Sequence, residues 1–429
     1  MLTRVPLNFP TDTVLQHWFA PMQRALERTR YNDATRSALP TASFILSGCL
    51  RQLLATPSLR EFVQTLFHLD TNQSLTPVAR STWSDALACP QRCAVLQQAS
   101  AKLVAHAQHV LPDRLAYLDE YLNQRAVIAT DATYLSESAH YQAKYPMAGG
   151  TDNQKGHMVL SHFDVRKGIP LGATVQTQSM GEMLVLKQVA QSLPQTNPLS
   201  TKSAVHLIDR AFIDGRFWDE RWHKYGSTVI TRLKSSMIYT VQHDNPIPSD
   251  TLSEGVISDQ QVQLKCSKYP WRLIHFCSPS GERYQYITND LSLPAGIVAF
   301  LYHRRWDKEK YYDCFKNCLA GGKAWGKRNA AIEQQTLMGI VTVVLTRLFM
   351  QARADQLGRE TPDSTQSRKH DAKQALYKRS AFGVSLRAAW TELSQITRQC
   401  WRFLKNCFNQ RHAPALYRRQ LAPILKGYL

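Results

Sequence analysis

Residues 126–131 read AVIATD, a short run of apolar and β-branched side chains that stops on an aspartate. That composition is typical of a buried strand. The same texture returns at residues 204–209, AVHLID, again closing on an aspartate. Between them, HMVLSHFDV at 157–165 and GATVQTQ at 172–178 read as a paired hairpin, and a helix over about 215–225 and the strand STVITRL at 227–233 follow. Strands and helices alternating in this way make the region from Arg125 onward an α/β domain. If the strands ending at Asp131 and Asp209 are neighbours, their carboxylates converge at the edge of an open sheet where ligand sites collect.

Working outward, residues 235–289 hold further β-like pieces, WRLIHF and YQYIT among them, separated by Asn-Pro, Pro-Ser and Ser-Gly turn signals. They read as a β-rich insertion over 235–290. The N-terminal 120 residues are helical in pattern, with Leu15, Trp18, Phe19, Met22 and Leu26 at helix period and Leu59, Phe62, Val63 and Leu66 after them. The second run opens with the capping box Ser58-Leu59-Arg60-Glu61. A further helix opening at 79–84, ARSTWS, allows a helix-turn-helix offering Arg80, Ser81 and Thr82 to DNA, or a plain bundle. Beyond the core, a helix is expected over about 331–354, then a polar connection at 355–378. The last segment, 393–429, has seven Lys or Arg, no Asp or Glu, and Trp401, Phe403, Phe408 and Tyr417 between them. It reads equally as a phosphate-tracking surface or as a packed helix with its charges outward. The expected division is therefore 1–120, 121–330 and 331–429.

The 429 residues carry 52 Lys and Arg against 33 Asp and Glu, a net charge of +19. A polyanionic partner follows, with nucleic acid ahead of an acidic membrane surface. No leader-like apolar run opens the chain, and the longest apolar stretch, 337–350, is interrupted by Thr342, Thr346 and Arg347 and is too short to span a bilayer. A cytoplasmic protein is expected. The nine cysteines and scattered histidines match no zinc or CxxC spacing.

Residues 301–316 read LYHRRWDKEKYYDCFK. On one continuous helix, Tyr302, Arg305, Glu309 and Lys316 fall within about 60° of one another, with Leu301, Tyr312, Phe315 and Leu319 on the adjoining sector. One carboxylate thus stands among a phenol, a guanidinium and an ammonium at the border of a buried face. With Asp131 and Asp209 it makes three hard oxygen donors, an inventory suited to Mg²⁺ or Mn²⁺. Two such ions about 3.5–4 Å apart would activate a water or a 3′-hydroxyl and stabilise the leaving oxygen of a phosphodiester. Asp119, Asp214 and Asp313 are rivals on spacing alone.

The pattern Tyr302-x2-Arg305-x3-Glu309-x6-Lys316 resembles the YREK signature of DDE transposases of the insertion sequence four group, the Tn-five type included. ATDATYL around Asp131 and HLIDRAF around Asp209 resemble that family's two catalytic aspartate contexts, and TNDLSLPAGIVAFLYHRRW resembles the run before its glutamate. The resemblance implies an α/β ribonuclease H-like catalytic core with a β-rich insertion, flanked by helical N- and C-terminal regions. It implies Asp131, Asp209 and Glu309 as catalytic metal ligands, with Tyr302, Arg305, Trp306, Lys316 and Arg210 on DNA. It further implies Mg²⁺-dependent cleavage of element ends and strand transfer, on double-stranded end and target DNA, in a homodimeric synaptic complex of a bacterial, nucleoid-associated protein. A metal-dependent nuclease that cuts without joining, or a non-catalytic DNA-binding derivative, is the alternative.

Overall fold

The computed structural model describes residues 13–29, 31–33, 39–56, 58–63, 78–136, 156–176, 180–191, 197–278 and 281–356. The basic tail at 393–429, most of the polar connection at 355–378 and the turn between the two helices of the suspected helix-turn-helix lie outside these residues.

The N-terminal helices are α1 (Thr13–Glu27), α2 (Thr41–Leu54), α3 (Arg80–Leu87) and α4 (Pro90–Val110). Ser58 makes its half of the capping box, its Oγ accepting from the Glu61 amide at 3.4 Å. Strands β1 (Val127–Ser136), β2 (Gly156–Asp164) and β3 (Ile169–Gln176) make an antiparallel meander. After α5 (Glu182–Ala190) come β4 (Val205–Ile208), α6 (Gly215–Tyr225) and β5 (Thr228–Arg232). Strands β4 and β5 add in parallel to β1.

The insertion strands are β6 (Tyr239–Asp244), β7 (Val256–Leu264), β8 (Pro270–Cys277) and β9 (Arg283–Thr288). They do not stand apart. β9 pairs with β5, so one nine-stranded sheet runs in the order β3-β2-β1-β4-β5-β9-β8-β7-β6. The open edge of β5 supplies the unpaired backbone groups that a further strand satisfies.

The chain then returns over the sheet through α7 (Ala295–Arg304), α8 (Trp306–Asp313) and α9 (Asn329–Gln356). α9 packs on α1, α2, α4 and β3. It is long and apolar enough to cross a membrane by length and composition, which corrects the shorter apolar span expected from sequence. Ile332, Met338, Ile340, Val341, Val344 and Leu345 are buried in the protein core, and that burial accounts for its apolar character. Alternation along β1 and β2 divides the interior. Val127, Ala129, Val159 and Phe163 face the α9 side, while Met158 and Leu160 face α5 and α6.

Two histidines are built into this interior. Burial holds His162 and His206 down at about 3, and both therefore stay neutral in the folded chain. An unfolded chain protonates them near 6.5, so their contribution to stability is intact above that pH and is lost as pH falls toward 3. Each is expected to cost about 2 kcal/mol between pH 6.5 and 5. Denaturant midpoints at pH 7 and pH 5, with His206→Leu flattening the dependence, check this. An unchanged profile in the variant would count against it.

Candidate active site

The β1–β4 ladder sets the first two carboxylates. Its last parallel rung is Thr130 opposite Ile208, so the next residues on the two chains are Asp131 and Asp209, on strands about 4.8 Å apart. The expectation that the first strand ends at Asp131 is corrected. β1 continues to Ser136 because its other edge stays paired with β2, Asp131 facing Ser161. Asp209 does leave its strand and sits ahead of a short 3₁₀ turn at Arg210–Phe212.

Glu309 arrives from α8, but not on the continuous helix that the spacing predicts. Helical hydrogen bonding is irregular at Arg305 between α7 and α8, and Cys314–Cys318 form a π turn. Wider winding there changes the angular register of Lys316, whose ammonium still feels the Asp131 carboxylate. Arg305 Nη2 lies 2.6 Å from Glu309 Oε1 and Nη1 lies 3.5 Å from Asp131 Oδ2. One guanidinium thus keeps these two carboxylates within about 8 Å of each other. Tyr302, at 2 % exposure, packs its ring 5.1 Å from that of Tyr286 and 5.5 Å from the Arg305 guanidinium carbon. It forms the floor beneath Arg305, and no open face of it meets solvent.

Burial pushes the Asp131 carboxyl above its usual range and Asp209 adds to that, while Arg305 and Lys308 pull it down. Lys316 is half-buried; desolvation lowers its ammonium and Asp131 opposes that shift. Trp306 and Arg210 lie at the surface. The rival aspartates are engaged elsewhere. Asp214 caps α6 by accepting from the Phe217 amide, Asp119 pairs with Arg166 at 2.6 Å, and Asp313 accepts from Asn317.

Two residues at this site escaped the sequence reading. Glu182, in the first turn of α5, has its carboxyl raised by burial and then by Asp131 and Asp209. No spacing connects it to either aspartate. Lys308 lies inside the quoted 301–316 stretch but off its polar stripe. It is fully buried, and desolvation brings its ammonium down to about 7 against the opposing pull of Asp131. A charged residue beside a run of aromatics was the available signal.

The donor chemistry suits a hard divalent cation: part-buried carboxylates, that of Asp131 held above its usual range by burial and, less, by the neighbouring Asp209 charge. No three acidic, His or Cys groups among the described residues stand close enough to make a ready cluster. The positive charge between Asp131 and Glu309 is the Arg305 guanidinium.

A family model described as "Transposase DDE domain" matches residues 122–345. No curated protein matches the chain. Among solved structures, the chain is similar to a cryo-EM structure of a piggyBac transposase synaptic complex with hairpin DNA. The identity is 11 % over 98 % of this chain and 82 % of that one, with a TM-score of 0.40.

Proposed function

Because the chain belongs to the transposase DDE-domain family, whose match spans just over half of it, we propose that it is the transposase of an insertion sequence carrying the YREK signature. It cuts the element's ends and joins them to target DNA. The observation that carries this reading is the meeting of three elements distant in sequence. The Thr130–Ile208 rung sets Asp131 beside Asp209, and Arg305 links Asp131 to Glu309. The strand order β3-β2-β1-β4-β5, with β2 antiparallel to its neighbours and β4 and β5 parallel to β1, supports a ribonuclease H-like core. We take 121–330 as the catalytic region, with 1–120 and 331–429 serving end recognition and dimer contacts.

Asp131, Asp209 and Glu309 are the residues that would hold Mg²⁺ or Mn²⁺, with Glu182 beside the two aspartates. Bound there, a divalent ion supplies the Lewis acidity that activates water or a 3′-hydroxyl and steadies the leaving oxygen. The chain's own cations do the rest. Arg305 and Lys316 hold phosphate oxygens beside the scissile bond, Arg as a fork and Lys as a point charge. Arg305 must then exchange its Glu309 contact for phosphate. Trp306 and Arg210 lie at the surface, where a base or backbone can reach them.

Lys316→Ala is expected to weaken binding to element-end DNA and flatten its salt dependence by about one unit of log–log slope. Glu309→Gln is expected to leave affinity unchanged or raise it, because a negative charge leaves a phosphate site. Titrations of end DNA at several salt concentrations read both. Equal slopes for parent and Lys316→Ala would remove Lys316 from the DNA contact. Joining of a 3′-hydroxyl end into a target plasmid, set beside cleavage alone, tests transposase against simple nuclease.

A further inference from the structure

Lys308 is the residue next to Glu309, and its side chain runs the other way, into the protein at 0 % exposure. Its ammonium lies 4.1 Å from the centre of the Tyr312 ring and 4.8 Å from that of Tyr311. Its hydrogen bond goes to Ser161 Oγ. Ser161 is also fully buried, and it is the residue directly opposite Asp131 in the β1–β2 ladder. The Ser161 hydroxyl lies 2.9 Å from the Tyr312 hydroxyl, which in turn donates to the Asp131 carbonyl oxygen at 2.6 Å and stands 3.2 Å from that of Val159.

One donor order satisfies this chain of contacts: Lys308 ammonium to Ser161, Ser161 to Tyr312, Tyr312 to the backbone of Asp131. Each of these polar contacts ends on one rung of one strand pair. A buried ammonium is expensive, and an apolar side chain of the same length would fill the slot at less desolvation cost. The charge therefore calls for a reason beyond packing, and its partners lead to Asp131.

We propose that Lys308, Ser161 and Tyr312 form an internal strut that clamps the helix bearing Glu309 to the strand rung bearing Asp131, setting the span between the two carboxylates. Lys308 is a positioning residue in this scheme; it touches neither DNA nor metal. The inference rests on the reading of Asp131 and Glu309 as ligands of a shared divalent ion. Hydrogen-bonded partners behind metal ligands commonly govern metal affinity in this way.

Mn²⁺ uptake by the full chain without DNA, followed by calorimetry, tests it. Lys308→Met keeps the length and the ring contacts while removing the ammonium. It is expected to fold and to bind Mn²⁺ about tenfold more weakly, although a positive charge has left the neighbourhood of the ligands. Tyr312→Phe, which cuts only the hydroxyl link, is expected to weaken binding by a smaller factor. If Lys308→Met does not fold, Ser161→Ala carries the same test. Tighter binding in Lys308→Met is what a mere electrostatic neighbour would produce, and unchanged binding is what a packing residue would produce; either result overturns the strut. The Asp131→Asn chain separates the two levels. Mn²⁺ uptake that is absent, or indifferent to Asp131→Asn, sinks the metal reading together with the strut. Uptake that depends on Asp131 but ignores Lys308→Met sinks the strut alone.

Discussion

Asp209→Asn is expected to abolish Mg²⁺-dependent cleavage of element ends while leaving end binding within about twofold, a factor worth under 0.5 kcal/mol at roughly 0.59 kcal/mol per unit of natural logarithm. Asparagine is nearly isosteric, so the 3₁₀ turn that Asp209 precedes and the paired rung before it keep their geometry. What is removed is a charged oxygen donor. Metal-assisted stabilisation of charge in a phosphodiester transition state is worth several kcal/mol, which corresponds to about a thousandfold or more in rate. Cleavage of labelled end DNA, beside an electrophoretic binding assay, reads both quantities. Cleavage retained at a tenth of the parent rate would remove Asp209 from the chemistry. Binding lost with unaltered folding would make it a structural residue.

Arg305→Ala is expected to destabilise the metal-free protein, and divalent ions are expected to restore part of the loss. The guanidinium is 8 % exposed and serves two carboxylates at once, with Asp131 at 18 % and Glu309 at 31 % exposure. Breaking a fully buried ion pair costs about 3–5 kcal/mol because one charge is left uncompensated. Here water reaches both carboxylates, so the cost is smaller, about 1–3 kcal/mol. Without the arginine, the Asp131 carboxyl is driven further above its usual range, since the largest opposing charge has gone. Denaturant titration in EDTA and in Mg²⁺ measures the loss and the recovery. A change under about 0.5 kcal/mol, the value for an ordinary surface position, would mean that Arg305 does not hold the two carboxylates together. The same variant is expected to bind end DNA more weakly, because a phosphate-holding fork is lost with the ion pair.

The positions that could be read from sequence are those governed by local pattern. β-branched runs marked β1, β4 and β5, and turn residues separated the later strands. The helix at 215–225 matched α6, whose Asp214 cap and Gly226 terminus are both local signals. Asp131 and Asp209 stood out as candidates because each closes an apolar run. The Tyr302, Arg305, Glu309 and Lys316 stripe stood out because ideal helix period would place these residues together. Two readings went astray where the deciding interaction was distant. Asp131 is not at a strand end, since β2 continues to pair with β1 beyond the last β4 rung. The single helix is interrupted at Arg305, where the guanidinium turns to two carboxylates, one of them from another element.

The sequence by itself determined the α/β class, the strongly basic charge balance and the residue types that can bind a hard cation and phosphate, because these depend on composition and on periods of two and 3.6 residues. Tertiary structure alone decided that Asp131 and Asp209 follow the same rung of adjacent strands, that Glu182 lies near them, and that Lys308 turns inward to Ser161 while its neighbour Glu309 turns to Arg305. The physical reason is that strand order, and the burial of a charge, are set by contacts between segments tens to hundreds of residues apart. In the unfolded chain those segments carry no mark of one another, and their electrostatic coupling arises only when folding removes the water between them.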